Sequence, residues 1–447
     1  MLKTIKKVIF FFLPLWLKKV IQRYLHYVIF RHAFLFLRKK VGIKKAFSQL
    51  FFQHYTSKKA HLNRLKKLEN IRAKKTITVV FQTWNLSKYK YECLYKAMAK
   101  HPRFNPIVWM CDEPGSIPHE RKQIREQLIE YFEKNSIAYV EAETWESLKL
   151  SCHPDMLFIQ DPYFYELNMP PHTDNELLCY IRYYVCLTDL AFGSDFFLHN
   201  MVLFNFQENE SIAKETAKWM SNKGRNLIVS GHPIFDEFKA NSNDIDVWKT
   251  IDAKKKKIIW APHWSISHSG FYKTSNFLVL SDIMLELAHK YKDKVHFAFK
   301  PHPTLYRSLC NHPEWGEEKA NDYYKQWTLL SNTQLETGAY RELFFQSDAM
   351  IHDCGSFLCE YLATNKPCMY LMTERKDIQW NDMGKAALKC YTIGIERRDI
   401  EHFIESEVLG ENDLNRLKRE LFISEYLTPP NGKTASENII DTILGAQ

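Results

Sequence analysis

The chain has 447 residues, 45% hydrophobic and 14% aromatic, with 61 Lys and Arg against 52 Asp and Glu for a formal net charge of +9. That length and apolar content exclude a disordered or fibrous chain and leave room for two or three domains, each with its own core. Ten cysteines, with no Cys-x-x-Cys pair and no zinc spacing, suit free thiols in a reducing compartment better than a disulfide frame; neither a metal nor a cofactor is expected.

The charge is unevenly placed. Residues 1–75 carry 20 Lys and Arg and a single acidic residue, Glu69, a surplus of +19 that leaves −10 for the rest. The same stretch holds the apolar run 8–17 and Tyr24, Tyr27, Phe30, Phe34, Phe36, Phe47, Phe51 and Phe52. Its longest apolar run, 8–17, is about ten residues, half of what spans a bilayer, and Pro14 interrupts it. Residues 1–72 therefore read as basic amphipathic helices lying in the interface of an anionic membrane. The rival readings are a helical cap on the main body and a nucleic-acid arm. Aromatic density argues against the arm, so no nucleic-acid partner is expected.

From residue 76 strands alternate with helices: strands at 76–81, 106–110, 156–159, 198–206 and 226–230, helices at 90–100 and 118–135. Gly231 to Asp236 reads as a linker or hinge. A second series follows, with strands at 257–261, 294–299, 349–352 and 368–371, helices at 276–290 and 357–364, and a helical tail from 400 to 447. This alternation predicts an α/β protein of two doubly wound domains facing across a cleft, with ligand at the carboxyl ends of the strands. The expected divisions are 1–72, 73–235 (acceptor side), 236–425 (donor side) and 426–447, a helix packing back.

The most informative segment runs from Ser347 to Leu371. A strand entering a helix through Gly355 and Ser356 leaves free N–H groups that favour a bound phosphate. Gly355 permits close approach, Ser356 offers a cap and a hydroxyl, and Glu360, one turn on, is placed to accept from ribose. The plain alternative is an ordinary βαβ unit. Lys300-Pro-His-Pro303 closes another strand, and its prolines impose an extended backbone that sends Lys300 and His302 to one side as phosphate-binding cation and imidazole. His263 and Ser265, with His268 beyond, close a third strand and either bind the donor or pack between domains. Asp161 and Tyr163 end a first-domain strand and face the cleft from the acceptor side. No Gly-x-Gly-x-x-Gly, Walker loop, Gly-x-Ser-x-Gly or His-Glu-x-x-His occurs.

Four ordered blocks carry a resemblance: Gly231, Pro233 and Asp236; Ala261, Pro262, His263 and Trp264; Lys300, His302 and Pro303; and Ser347, Asp348, Asp353, Gly355, Ser356, Glu360, Tyr361, Lys366 and Pro367. Over residues 225–375 they resemble the CDP-glycerol glycerophosphotransferase family, which builds teichoic-acid and capsule-like polymers on a GT-B scaffold. Gly355 stands where that pattern has Ser, Ile234 where it has Arg and Ser265 where it has Arg, and its Trp-His-Gly has no counterpart. The resemblance implies a transferase moving glycerol phosphate, or a similar alcohol phosphate, from CDP-glycerol to a lipid-linked or polymer acceptor at the cytoplasmic face of the membrane, to which it attaches peripherally. With the motif reading above, it assigns His302 and Lys300 to catalysis, joined by Asp161 from its place at a first-domain strand end, and His263, Ser265, Asp353, Gly355, Ser356 and Glu360 to the donor. Two other readings stay open: a GT-B glycosyltransferase using a nucleotide sugar in capsule or lipopolysaccharide synthesis, and a membrane- or nucleic-acid-binding protein on a catalytically dead scaffold.

Overall fold

A computed structural model of the chain describes residues 56–112, 118–142, 144–162, 177–188, 193–236, 238, 246–249, 252, 254–266, 275–338, 340–372 and 380–446. The membrane reading of residues 1–55, and the calls on Tyr163 and His268, lie outside the described residues.

Two all-parallel sheets form the frame. The first contains β1 (Ile77–Thr83), β2 (Phe104–Met110), β3 (Tyr139–Glu141), β4 (Met156–Ile159), β5 (Leu177–Tyr180), β6 (Phe204–Gln207) and β7 (Leu227–Val229), in the order β3-β2-β1-β4-β5-β6-β7. The second contains β8 (Lys256–Ala261), β9 (Val295–Phe299), β10 (Thr333–Leu335), β11 (Ala349–His352), β12 (Cys368–Leu371) and β13 (Thr392–Gly394), in the order β10-β9-β8-β11-β12-β13. Strand order reverses between β1 and β4 in one sheet and between β8 and β11 in the other. Loops leaving adjacent strands diverge there, opening a crevice at the carboxyl ends. Central strands such as β4 and β11 are buried along their whole length, because helices cover both faces; that is why they read as unbroken apolar runs.

The stretch 198–206 is not one strand. Phe197–Met201 is a helix and only Phe204–Gln207 pairs in the sheet. The polar residues His199, Asn200 and Asn205 fall in the run without a period that separates the two elements. Local hydrogen bonds decide it: His199 Nδ1 accepts from the Phe196 N–H at 3.3 Å and Asn200 Nδ2 donates to the Phe196 carbonyl at 3.0 Å, closing a helical turn. The expected helix 357–364 is one α-turn, Phe357–Glu360, followed by a 3₁₀ turn, Leu362–Thr364.

The chain's ends close on the first sheet. The helix Lys58–Arg72 buries Leu68 and Ile71 in the same core as Ile439, Ile440 and Ile443 of the helix Ala435–Leu444. Arg72 donates from Nε to the Ile443 carbonyl at 2.7 Å and from a terminal nitrogen to the Thr442 carbonyl at 2.9 Å, so a cation satisfies carbonyls that the helix end leaves open. A further core joins the halves: Val185, Cys186, Leu187 and Ile212 pack with Ile259, Met350, Leu358 and Tyr361.

Asp236, at the end of the stretch read from the sequence as a linker or hinge, caps a helix. Its carboxylate accepts from the N–H groups of Ala435 and Ser436, both at 2.8 Å, and from the Ser436 hydroxyl at 2.6 Å. It therefore holds the start of the last helix, where unpaired N–H groups and the helix dipole favour an anion. Asp236→Ala leaves those buried donors unanswered and is expected to cost roughly 2–4 kcal/mol, measured by urea unfolding. A loss below about 0.5 kcal/mol would mean that Thr434 and Glu437 cap the helix without it.

Candidate functional site

The second switch point is assembled by one buried carboxylate. Asp353, 1% exposed, leaves the end of β11 and accepts from the His263 N–H at 2.5 Å and the Asn276 N–H at 2.7 Å. It thereby ties the loop after β8 and the head of the helix Phe277–Lys290 to β11. Burial pushes the Asp353 carboxyl up to about 7, against these amide hydrogen bonds, which pull it down.

Two imidazoles follow from that tie. The rings of His263 and His302 lie 5.1 Å apart between centroids at 65°. His263 Nδ1 receives the Ser265 N–H at 3.3 Å and lies 2.8 Å from the Ser265 hydroxyl; His302 Nδ1 receives the Thr304 N–H at 3.2 Å and lies 2.7 Å from the Thr304 hydroxyl. A nitrogen that accepts from a backbone amide carries no proton, so each neutral ring keeps its proton on Nε2. Burial holds His263 down to about 3, with His302 adding to the effect, and His302 down to about 4, with Lys300 adding to it. Near neutral pH the pair offers two uncharged N–H donors. Trp264, 40% exposed, stands over them.

Lys300 and His302 do not project together as the extended backbone implied. The Lys300 ammonium turns towards β10 and donates to the Gly338 carbonyl at 2.8 Å, whereas His302 turns towards β8. Burial lowers the Lys300 ammonium to about 8, which leaves it mostly charged near pH 7.

Gly355 and Ser356 form the turn after Asp353. Ser356 is exposed and its side chain makes no cap hydrogen bond, contrary to the capping expected of it, because its backbone is already helical at φ −65°, ψ −36° rather than extended as a capping side chain needs. A Cβ on Gly355 would meet nothing within 4 Å, so the turn opens outward. Among the described residues no hydrogen bond reaches the N–H of Ser356 or Phe357. Glu360, 2% exposed, accepts from the Tyr340 hydroxyl.

Asp161 lies across the cleft at the first switch point, paired with Lys88 at 3.2 Å. The Lys88 ammonium also lies 4.9 Å from the Trp84 ring and 5.0 Å from the Tyr183 ring. Thus His263, Ser265, His302, Lys300, Asp353, Gly355, Ser356 and Glu360 gather on the second sheet's carboxyl edge, and Asp161 stands on the other half. Sequence reasoning missed Tyr340 and Lys90, whose ammonium hydrogen-bonds the Tyr340 hydroxyl. Tyr340 follows the three-residue β10, a strand too short to read, and Lys90 had been absorbed into a helix that begins only at Glu92.

A family profile described as CDP-glycerol:poly(glycerophosphate) glycerophosphotransferase matches residues 204–444, more than half of the chain. The chain belongs to this family. It is a glycerophosphotransferase-like transferase, of the kind related to cell-wall polymer synthesis. Solved structures share its fold, which is GT-B. The wall teichoic acid polymerase TagF is 15% identical over 90% of this chain and 98% of its own, with a TM-score of 0.55. MnaA from S. aureus, solved with UDP, is 13% identical over 84% and 98%, with a TM-score of 0.53. The UDP-GlcNAc 2-epimerase from Neisseria meningitidis, bound to UDP-GlcNAc, is 16% identical over 83% and 100%, with a TM-score of 0.52. No curated protein matches the chain in sequence. Among the described residues, no helix is long and apolar enough to cross a membrane.

The buried imidazoles set an acid limit on this site and on the fold. His199 and His352 are held down to about 3 and His296 to about 4, all by burial first, and His263 and His302 join them. An unfolded chain takes up protons near pH 6.5 that the folded one refuses, so stability falls as pH drops from about 6.5 towards 4. Asp353 works in the opposite direction below about 7, and Glu407, also raised by burial, works with it, against these five imidazoles and His232, which burial also lowers. Thermal melts between pH 7 and 4.5 should show a steep loss, roughly 1.4 kcal/mol per pH unit for each fully buried imidazole. A flat or rising profile would contradict the neutral assignment of these rings.

Proposed function

We propose that the protein transfers glycerol phosphate, or a similar alcohol phosphate, from CDP-glycerol to a membrane-linked cell-surface polymer. What supports this reading is that His263, His302 and the open turn at Gly355 and Ser356 follow β8, β9 and β11, neighbouring strands of the second sheet, at their carboxyl ends, with Lys300 at the end of β9. Two neutral N–H donors, one cation and unpaired backbone amides suit a diphosphate better than any uncharged ligand. Family membership supplies the donor class, and a solved variant of TagF was soaked with CDPG.

In this reading an acceptor hydroxyl oxygen bonds to the phosphorus that bears glycerol. The bond from that phosphorus to the bridging oxygen breaks, and CMP departs with that oxygen. Lys300 and the Nε2–H groups of His302 and His263 take up the charge that develops there; fixed donors do so without reorganisation. The amides at Ser356 hold the diphosphate, and Glu360 holds the ribose. Asp161 takes the hydroxyl proton once it gives up Lys88, for which the acceptor's own phosphates compete. The surplus of 20 Lys and Arg with interleaved aromatics in residues 1–75 supports peripheral attachment to the anionic cytoplasmic face of the membrane, where a lipid-linked acceptor lies.

Purified protein with membranes should release CMP from CDP-glycerol, and His302→Ala should lower that rate about 10²–10³-fold, the loss typical of one preorganised donor. Release by the variant at an undiminished rate would remove His302 from the mechanism. Release of nucleotide only from a sugar donor would turn the reading to glycosyl transfer.

A further inference from the structure

Tyr340 links the two halves across the cleft. Lys90 belongs to the segment between β1 and the helix Glu92–Lys100, on the first sheet. Its ammonium hydrogen-bonds the Tyr340 hydroxyl, and the same hydroxyl hydrogen-bonds a Glu360 carboxylate oxygen. An ammonium has no lone pair, so Lys90 is the donor to the phenol oxygen, and the one phenol proton goes to Glu360. The chain therefore has a fixed direction, from Lys90 through Tyr340 to Glu360.

The relay is held on both sides. The Tyr340 ring packs 4.8 Å from Phe344 and 5.0 Å from Phe357 between centroids, which aims its hydroxyl. The Lys300 ammonium lies 5.9 Å from the centre of the same ring, so Tyr340 stands between cations from opposite halves. Those cations feel each other: burial is the main force lowering Lys300, Glu336 opposes it, and Lys90 adds to it.

We propose that Lys90 is a positioning residue for the nucleotide donor, acting through Tyr340 on Glu360. With one carboxylate oxygen occupied by the phenol, Glu360 is fixed to offer its other oxygen to a ribose hydroxyl. Both links are charge-assisted and polarise each other in a buried setting. Separation of the halves removes the Lys90 link, so the donor pocket has its full set of partners only when the acceptor side is in place. This rests on the nucleotide-donor reading above.

Calorimetric titration of CDP-glycerol into the full chain tests it. Lys90→Met and Tyr340→Phe should each weaken binding about tenfold, the worth of one charge-assisted hydrogen bond. The double variant should be no weaker than about tenfold, because both changes cut one chain. Lys90→Arg should recover affinity to within about threefold, since a guanidinium donates equally well to the phenol; a fold defect would not be rescued in this way. Singles that multiply to about a hundredfold in the double, or Lys90→Met binding as tightly as the wild type, would overturn the inference and leave the donor reading standing. Failure of the wild type to bind CDP-glycerol would end that reading and the inference with it.

Discussion

Everything at the candidate site hangs on how Asp353 is satisfied. A carboxylate with 1% exposure is costly unless hydrogen bonds answer it, and the answers come from two separate loops, through His263 and Asn276. Meeting that requirement brings the loop after β8 against the end of β11. His263 then has nowhere to lie but beside His302, which leaves the neighbouring strand on the other flank of β8. The imidazole pair thus follows from the desolvation of one anion rather than from attraction between the rings. The donors are backbone amides, which cannot titrate, so the Asp353 carboxyl, pushed up to about 7, is the titrating partner in each of these two links.

The motif residues divide by physical role. Gly355 and Ser356 form the open turn, Asp353 and Glu360 are buried behind it, and their companions build the frame beneath. The Lys366 ammonium donates to the carbonyls of Phe344, Phe345 and Ser347, at the end of the helix Arg341–Gln346. Asp348 accepts from the Lys257 N–H at 2.7 Å, and the Ser347 and Tyr361 hydroxyls meet at 2.8 Å. The Gly231 block is likewise scaffold: Gly231 has φ +83°, and a Cβ there would strike Pro429 at 2.7 Å, so only glycine fits where the chain passes the entry to its last helix. A motif read as a single binding signature is thus partly the specification of a βαβ unit and of a crossover.

How much was legible follows from what each element needs. Fully buried strands such as β4, β11 and β12 declare themselves as apolar runs; His263, His302 and Asp353 follow β8, β9 and β11, at the carboxyl ends where ligand was expected. The short strands β3, β10 and β13 have three residues each and lie at the sheet edges, too short to carry a period. With β10 went Tyr340, and with Tyr340 a bridge from Lys90 to Glu360. Asp161 was placed at the right strand end, but an ion pair with Lys88, 73 residues away in sequence, leaves no local trace. The same holds for Arg182 and Glu208, a buried pair at 3.4 Å that no spacing announces.

The central claim is that a diphosphate sits between the turn at Ser356 and the imidazole of His302. A crystal structure of the protein soaked with CDP-glycerol tests it most directly. The account predicts diphosphate oxygens within hydrogen-bond reach of the Ser356 N–H and of Nε2 of His302, with the Lys300 ammonium alongside. Nucleotide bound at the first sheet's switch point, beside Asp161 and Lys88, with the second left empty, would contradict it.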